Sequence, residues 1–126
     1  MDPVNIFAIA SKHNRWLGVR QATVAQNVAN ANTPGYKSLE VEPFEAAMSA
    51  TQLEMQRTST NHIAPTSTAM ADAGTKEDES WEVVHSGNNV SLEQQLLKSN
   101  EISGAYALNT GAVKAFHRML MMSSRG

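Results

Sequence analysis

The chain has 126 residues, no cysteine and a net charge of −2. This length suits one small domain or an elongated subunit, and the weak net charge argues against a general attraction to nucleic acid or to a membrane surface. The absence of cysteine excludes disulfides and thiolate sites, and no apolar run approaches the ~20 residues that a membrane-spanning helix needs.

Charge and apolar content are unevenly distributed. Residues 1–38 carry +3, residues 39–82 carry −7 and residues 83–126 carry +2. Charged blocks of this kind usually form solvent-exposed faces. The more specific alternative is that oppositely charged blocks of neighbouring subunits attract each other. Hydrophobic residues make up 41% of the chain but aromatic residues only 6%, and many of the hydrophobic residues are alanines. Because alanine buries little area, we expect part of the packing to come from neighbouring molecules.

Residues 4–31 show the periodicity of a helix with two different faces. Bulky side chains share one side and are expected to pack: Ile6, Ile9, Leu17, Val24 and Val28. Small residues gather on the other side and predict close approach of another helix: Gly18, Ala22, Ala25 and Ala29. A helix that only covers a globular core should instead carry charge on its outer side.

The segment from Asn27 to Lys37 predicts the end of this helix and a turn. Thr33 precedes Pro34, which disfavours the α conformation at Thr33 and lacks a backbone donor. Gly35 then permits a positive φ. We therefore divide the chain into an N-terminal helical segment at 1–32, a connecting segment at 33–90 and a C-terminal helix at 91–126, together one domain. Gly35→Val is predicted to weaken assembly more than Gly74→Val.

The connecting segment has a different pattern. Residues 38–48 alternate apolar and acidic side chains, which predicts an extended arm, with a helical turn from Glu45 towards Arg57. Residues 58–80 are rich in Ser, Thr, Ala and acids, which is typical of a flexible linker. Residues 81–85 resemble a short strand, and residues 86–89 predict a turn before the second helix.

Residues 91–123 repeat the two-faced design. Ser91 followed by Gln94 is a capping-box pattern for a helix start. The bulky side carries Ile102, Tyr106, Val113, Phe116 and Leu120, and the small side carries Gly104, Ala107, Gly111 and Ala115. Interior glycines cost about 1 kcal/mol each relative to alanine. An ordinary amphipathic helix tolerates such a pair, but the same pattern in both helices favours close helix approach.

The predicted fold class is all-α: an elongated, coiled-coil-like pair of long N- and C-terminal helices joined by an extended arm and a flexible middle segment. Each helix would be roughly 40–50 Å long at about 1.5 Å per residue. Two helices alone bury little apolar area. We therefore expect the small faces to accept helices from other copies.

The sequence contains no pattern that supports catalysis or metal binding. The four histidines, at 13, 62, 85 and 117, lack the spacing of metal ligands, and residues 77–79 lack the pattern of a calcium loop. There is no nucleophile elbow and no phosphate-binding loop. The methionines at 119, 121 and 122 suggest adaptable packing. We expect a non-enzymatic protein with no cofactor, metal or small-molecule substrate.

One motif carries a family resemblance. The residues Asn27, Asn30, Ala31, Thr33, Pro34, Gly35 and Tyr36 follow an N-terminal helix. In this setting they resemble the shared signature of the rod, hook and filament-joining axial proteins of the bacterial flagellum. The block at 87–93 before the second helix resembles the C-terminal block of the same family. The short length and the lack of an inserted domain point to a proximal-rod member.

The resemblance implies a structural subunit that assembles helically in the basal-body rod and transmits motor torque. Its partners would be copies of itself, other rod proteins, components on the MS-ring and export-gate side, and the flagellar type III export apparatus, but not nucleic acid. Export would occur without a cleaved signal peptide, and residues 1–5 lack the features of one. Phe44 and Met48 resemble an export-gate recognition motif, although plain packing of Phe44 is the alternative. Another axial position, or a helical export adaptor or chaperone, remains open as a rival function.

Overall fold

The computed structural model describes residues 3–50, 74–78 and 85–126. Two long helices, α1 (Pro3–Ala29) and α3 (Leu92–Ser124), enclose three short elements in the chain order: β1 (Leu39–Val41), α2 (Phe44–Ala50) and β2 (Thr75–Glu77). The predicted linker at 58–73 and 79–80, the strand-like residues 81–84 and the helical turn beyond residue 50 lie outside the described residues.

The two long helices pack side by side in opposite directions. Their contacts join Asn27 with Gln95 at one end, Arg20 with Glu101 further along and Phe7 with Phe116 towards the other end. Position numbers rise on one helix as they fall on the other, so the pair is antiparallel. The mostly helical fold with long N- and C-terminal helices confirms the predicted fold class.

The helix boundaries follow local capping chemistry. Helix α1 ends at Ala29, where Asn30 donates both its backbone N–H (3.1 Å) and its side-chain Nδ2 (2.9 Å) to the carbonyl of Gln26. Ser91 is the N-cap of α3, with extended backbone and an Oγ that accepts from the backbone N–H of Gln94 at 3.4 Å. The predicted start of the second helix at Ser91 is confirmed. The Gln94 side chain does not complete the capping box, because its Oε1 has no hydrogen-bond partner among the described residues.

The apolar core between the helices is small. Leu17, Val24 and Ile102 form its buried cluster, and Trp16 and Ala105 pack against it. A T-shaped contact between Phe7 and Phe116, with ring centroids 5.7 Å apart, extends the interface. The helix interface also contains polar groups, because Asn109 Nδ2 donates to Ala10 O (3.0 Å) and to Asn14 Oδ1 (2.6 Å). A thin, partly polar core fits a chain whose packing is completed elsewhere.

A two-stranded antiparallel sheet was not predicted. Strand β1 lies in the predicted arm and pairs with β2 in the register Leu39↔Glu77, Glu40↔Lys76 and Val41↔Thr75. Strand β2 falls within the segment predicted as a linker, so the linker prediction is wrong for these residues. The local sequence of β2 is polar and all three residues are exposed. Its conformation depends on pairing with a distant strand, which composition does not reveal.

The single chain does not bury every residue of the two bulky faces. Leu17, Val24 and Ile102 are buried, whereas Val28, Tyr106 and Leu120 are 45%, 53% and 37% exposed. The other predicted packing residues are partly buried: Ile6, Ile9, Val113 and Phe116. Val28 lies where Asn27 and Gln95 occupy the buried positions, and Leu120 lies level with the very start of α1 at Pro3. Packing of these exposed residues within one chain is therefore not observed.

Candidate functional site

The turn after α1 is closed by backbone hydrogen bonds on both sides. Gly35 adopts φ = 73°, and its N–H donates to Ser86 O at 3.0 Å, while Tyr36 N donates to Thr33 O at 3.2 Å. The predicted turn with a positive φ at Gly35 is confirmed. The bond to Ser86 also ties the turn to the segment before α3, some 50 residues later.

Asn27 is the hydrogen-bonding centre of this region. It is completely buried, and its Nδ2 donates to Leu39 O at 2.7 Å and to Gln95 Oε1 at 3.1 Å. Its Oδ1 accepts from Leu39 N at 2.9 Å and from Tyr36 Oη at 3.3 Å. One amide therefore connects α1, the start of β1 and α3, and its two bonds to Leu39 imitate a strand partner.

The second motif block supplies two further amides. Asn88 Nδ2 donates to Asn30 O (2.9 Å) and Thr33 O (2.8 Å), two carbonyls of the turn that follows α1. Asn89 Oδ1 accepts from the backbone N–H of Ser38 at 2.6 Å. The sequence indicated both blocks separately, but their contact was missed, because nothing in the local pattern pairs residues so far apart.

Two glycines with positive φ lie next to each other where the blocks meet. Gly87 has φ = 80°, and a Cβ placed on it would lie 3.7 Å from Gly35 Cα. Lys37 Nζ donates to Gly87 O at 2.9 Å across the same contact. Together with the amides above, these residues make a structure that we call the assembly joint, comprising residues 27–38 and 86–89. The predicted motif residues all lie in or beside it: Asn27 is buried; Asn30, Ala31 and Tyr36 are half-buried; and Thr33, Pro34 and Gly35 are exposed.

A cluster of five charges lies beside the assembly joint and attaches the sheet to the helix pair. Glu40 accepts from Arg20 (3.2 Å) and from Lys98 (2.6 Å), so it bridges α1 and α3. Lys98 also pairs with Asp78, which follows β2, and Arg20 pairs with Glu101 at 3.2 Å. We call these five residues the charge cluster. Sequence reasoning missed it, because its members come from four separate segments.

Burial and pairing act in opposite directions on the charge cluster. Burial alone would raise the pKa of Glu40, but the hydrogen bonds and positive charges of Lys98 and Arg20 outweigh burial and hold the pKa of Glu40 below 4.5. Burial would likewise lower the pKa of Lys98, but its bonds to Asp78 and Glu40 keep this pKa above 10.5. The charged forms are therefore favoured in the folded chain.

We expect Glu40→Gln to remove a pH-dependent part of the stability. A carboxyl with a depressed folded-state pKa stabilises the fold above its unfolded pKa, and this contribution disappears as the pH falls through the folded-state pKa. At neutral pH the substitution should cost about 1.5 kcal/mol, discounted for partial exposure. Below pH 4.5 the difference from the unsubstituted chain should shrink.

Urea unfolding followed by circular dichroism between pH 3 and pH 8 provides the measurement. Glu45→Gln is the matched control, because Glu45 is exposed and makes no ion pair among the described residues. A pH-independent difference between Glu40→Gln and the unsubstituted chain would contradict the assigned role of the carboxylate.

The aromatic residues of the arm form a separate contact with α1. Phe44 lies 4.8 Å from His13 and 5.8 Å from Trp16 between ring centroids, and Trp16 Nε1 donates to Glu42 O at 2.8 Å. Phe44 and Met48 are both half-buried. In the folded chain Phe44 is thus a packing residue that fixes the end of the arm.

The small faces point outwards. A Cβ at Gly18, Gly104 or Gly111 would meet no atom within 4 Å, so none of these glycines serves a close approach within the chain. The alanines of these faces are also exposed, except for the half-buried Ala115: Ala22, Ala25, Ala29 and Ala107. Sequence reasoning missed the large apolar residues beside the glycines of α3, where Leu97 is 57% and Leu108 is 77% exposed.

Among the residues that the structure describes, no group of three or more His, Asp or Glu side chains could hold a metal ion. No helix in that part of the chain has the length and apolarity needed to cross a membrane. His62 lies outside the described residues.

The sequence of the assembly joint matches that of a known protein family. The profile of a family described as flagella basal body rod protein matches residues 17–37, which span the end of α1 and the turn. The chain is also 41% identical over 127 residues to the flagellar basal body rod protein FlgB of Agrobacterium fabrum (strain C58 / ATCC 33970), covering 98% of this chain and 95% of the relative. The chain therefore belongs to the flagellar basal body rod protein family.

Proposed function

We propose that the chain is a structural subunit of the flagellar rod that occupies its proximal part and transmits motor torque. The observation that carries this proposal is the assembly joint, in which hydrogen bonds of Asn88 and Gly35 join the two family motif blocks beside the buried Asn27. Torque transfer requires that the arm leave the helix pair in a fixed direction. The hydrogen bonds of the joint and the charge cluster supply that rigidity.

Assembly contacts are proposed on the outward faces of the two long helices. The exposed large side chains of α3 and its neighbouring glycines lie on one stripe: Leu97, Gly104, Leu108, Gly111, Met119 and Met122. The exposed small face of α1 leaves room for such projecting side chains. A large apolar side chain that enters a small-residue face is a common basis of close helix packing, and exposed apolar stripes mark interaction sites.

We expect Gly111→Leu to stabilise the isolated chain but prevent its assembly. The substituted side chain enters open space in the single chain, and replacing an interior glycine stabilises a helix by about 0.8 kcal/mol. In the rod, the added side chain would occupy the place of a neighbouring helix. Thermal unfolding and motility of cells that carry the variant are the two measurements.

Ser103→Leu is the control, because Ser103 is an exposed residue on another side of the same helix. Normal motility is expected for this variant. Normal motility of Gly111→Leu cells would overturn the proposed interface. Failure of the unsubstituted protein to enter purified basal bodies would overturn the function itself.

The proposal extends to the position of the chain in the rod and to the route of its export. We propose contacts with copies of the chain, with other rod proteins and with components on the MS-ring and export-gate side, after type III export without a cleaved signal. Phe44 is packed against His13 and Trp16 once the chain folds, so recognition of Phe44 and Met48 by an export gate would precede folding. Crosslinking in basal bodies separates a proximal from a distal position, because a distal subunit should not reach the MS ring.

A further inference from the structure

Strand β2 lies on the outside of the fold. Its three residues are exposed, and so is Gly74 directly before it. A two-stranded antiparallel sheet is marginally stable in water unless apolar packing supports it, and β2 supplies no buried side chain to such packing. The position of β2 therefore depends on polar contacts. We call residues 74–78, which comprise β2 and one residue on each side of it, the strap.

Strand β1 is anchored to the helix pair without the strap. Val41 is buried, and the backbone N–H and C=O of Leu39 both bond to the buried side chain of Asn27. Glu40 pairs with Arg20 of α1 at 3.2 Å. None of these contacts involves a residue of the strap. Strand β1 can therefore remain docked when the strap moves away.

Backbone hydrogen bonds to the β1 segment close the two ends of the strap. Glu42 N donates to Gly74 O, and Asp78 N donates to Ser38 O, each at 2.9 Å. Lys76 also pairs with Glu42 at 3.1 Å, but the Lys76 side chain is 71% exposed. Because exposed ion pairs contribute little to stability, this pair holds the strap only weakly.

Lys98 of α3 makes the ion pair that joins the strap to the helix pair. Its ammonium group contacts both Asp78 of the strap and Glu40 of β1. The side chains of Lys98 and Asp78 are only 13% and 14% exposed. Without Lys98, the Asp78 carboxylate would lose its ion-pair partner while it lies close to the negative charge of Glu40. A shielded charge without its partner is strongly unfavourable, so Lys98 favours the closed position of the strap.

We propose that the strap opens as a separate unit, with Lys98 as its latch, while the helix pair and the assembly joint stay folded. Segments with few buried contacts and solvent-exposed backbone bonds open at a lower free energy than the core. Opening frees the carbonyl of Ser38 and the N–H of Glu42, and it thereby uncovers one edge of β1. An unpaired strand edge is a surface on which another strand can pair.

Amide hydrogen exchange of the full chain, followed by NMR, tests separate opening. The amides of Glu42 and Asp78 bond across the strap, whereas the amide of Leu39 bonds to Asn27 Oδ1. We expect the protection factors of Glu42 and Asp78 to be at least about tenfold lower than that of Leu39. They should also change little in dilute urea, because opening exposes little surface. Equal protection and equal urea dependence of the three amides would overturn the inference.

Lys98→Met tests the latch, and Lys76→Met is the matched control on the strap itself. Lys98→Met should lower the protection of Glu42 and Asp78 at least about tenfold, because it leaves a shielded carboxylate unpaired. Lys76→Met removes only an exposed pair, so it should change the same protection factors by less than about twofold. Circular dichroism checks that both variants keep their helices. Equal effects of the two substitutions would overturn the role of Lys98.

Ile102→Val separates opening of the strap from unfolding of the whole chain. Ile102 lies in the buried cluster between the helices, so the substitution should lower the thermal stability measured by circular dichroism. This cluster stays packed when the strap opens. The protection of Glu42 and Asp78 should therefore stay within about twofold of that in the unsubstituted chain. A fall of their protection in parallel with the thermal stability would show that the strap opens only with the core.

Discussion

Asn27→Ala should destabilise the chain more than any other single substitution in the assembly joint. The change leaves the N–H and carbonyl of Leu39 and the Oε1 of Gln95 without the partner that now satisfies them. Because Asn27 is fully buried, water does not replace these bonds without rearrangement. We expect a loss of about 3 kcal/mol in the free energy of unfolding, given the usual penalty for unpaired buried polar groups. Urea unfolding followed by circular dichroism measures it.

Asn32→Ala is a matched control within the same motif. Asn32 is exposed, and its side chain makes no hydrogen bond among the described residues. Its substitution should change the unfolding free energy by less than about 0.5 kcal/mol. Motility should follow the same order, with loss for Asn27→Ala and retention for Asn32→Ala. Similar unfolding curves for the two variants would refute the central role of Asn27.

Gly35→Val should prevent the two motif blocks from closing on each other. Gly35 has φ = 73°, a conformation that costs an L-residue about 1–2 kcal/mol and a β-branched residue more. Relief of this strain would rotate the Gly35 N–H away from Ser86 O and disturb the contact with Gly87. We expect loss of motility and a decrease of about 2 kcal/mol or more in the unfolding free energy.

Gly74→Val separates the effect of conformation from that of side-chain size. Gly74 does not have a positive φ, and the nearest atoms to an added Cβ belong to the flexible side chain of Glu42, at 3.3 Å from its Cδ. That carboxylate can move, so the substitution should cost less than Gly35→Val. Equal motility of the two variants would count heavily against the turn as a joint.

Most of the fold could be predicted from the sequence, because the sequence features that determine it are local. The periodicity of residues 4–31 and 91–123, the Ser91 cap and the Pro34–Gly35 turn each depend on residues within one or two helical turns. The structure confirms the two helices, the cap and the turn within a few residues. The structure differs from the prediction at β2, whose strand conformation depends on hydrogen bonds to β1 and not on its own polar sequence.

Only part of the candidate site could be predicted from the sequence. The motif residues were identified, but Asn27 was recognised as a member of a pattern and not as the buried amide that joins three elements. The charge cluster was missed altogether, since Arg20, Glu40 and Lys98 appear in the sequence as ordinary charges on separate segments. Charge alone does not indicate which residues will be desolvated together.

Two two-faced helices and the turn after the first of them could be predicted from the amino-acid sequence, because periodicity, capping and glycine conformation act over short distances along the chain. Three features are visible only in the folded chain: the two motif blocks form one joint, Glu40 is held between Arg20 and Lys98, and the glycine faces remain open. Those features depend on which distant segments exclude water from one another. That outcome follows from the packing of the whole chain, and no local pattern encodes it.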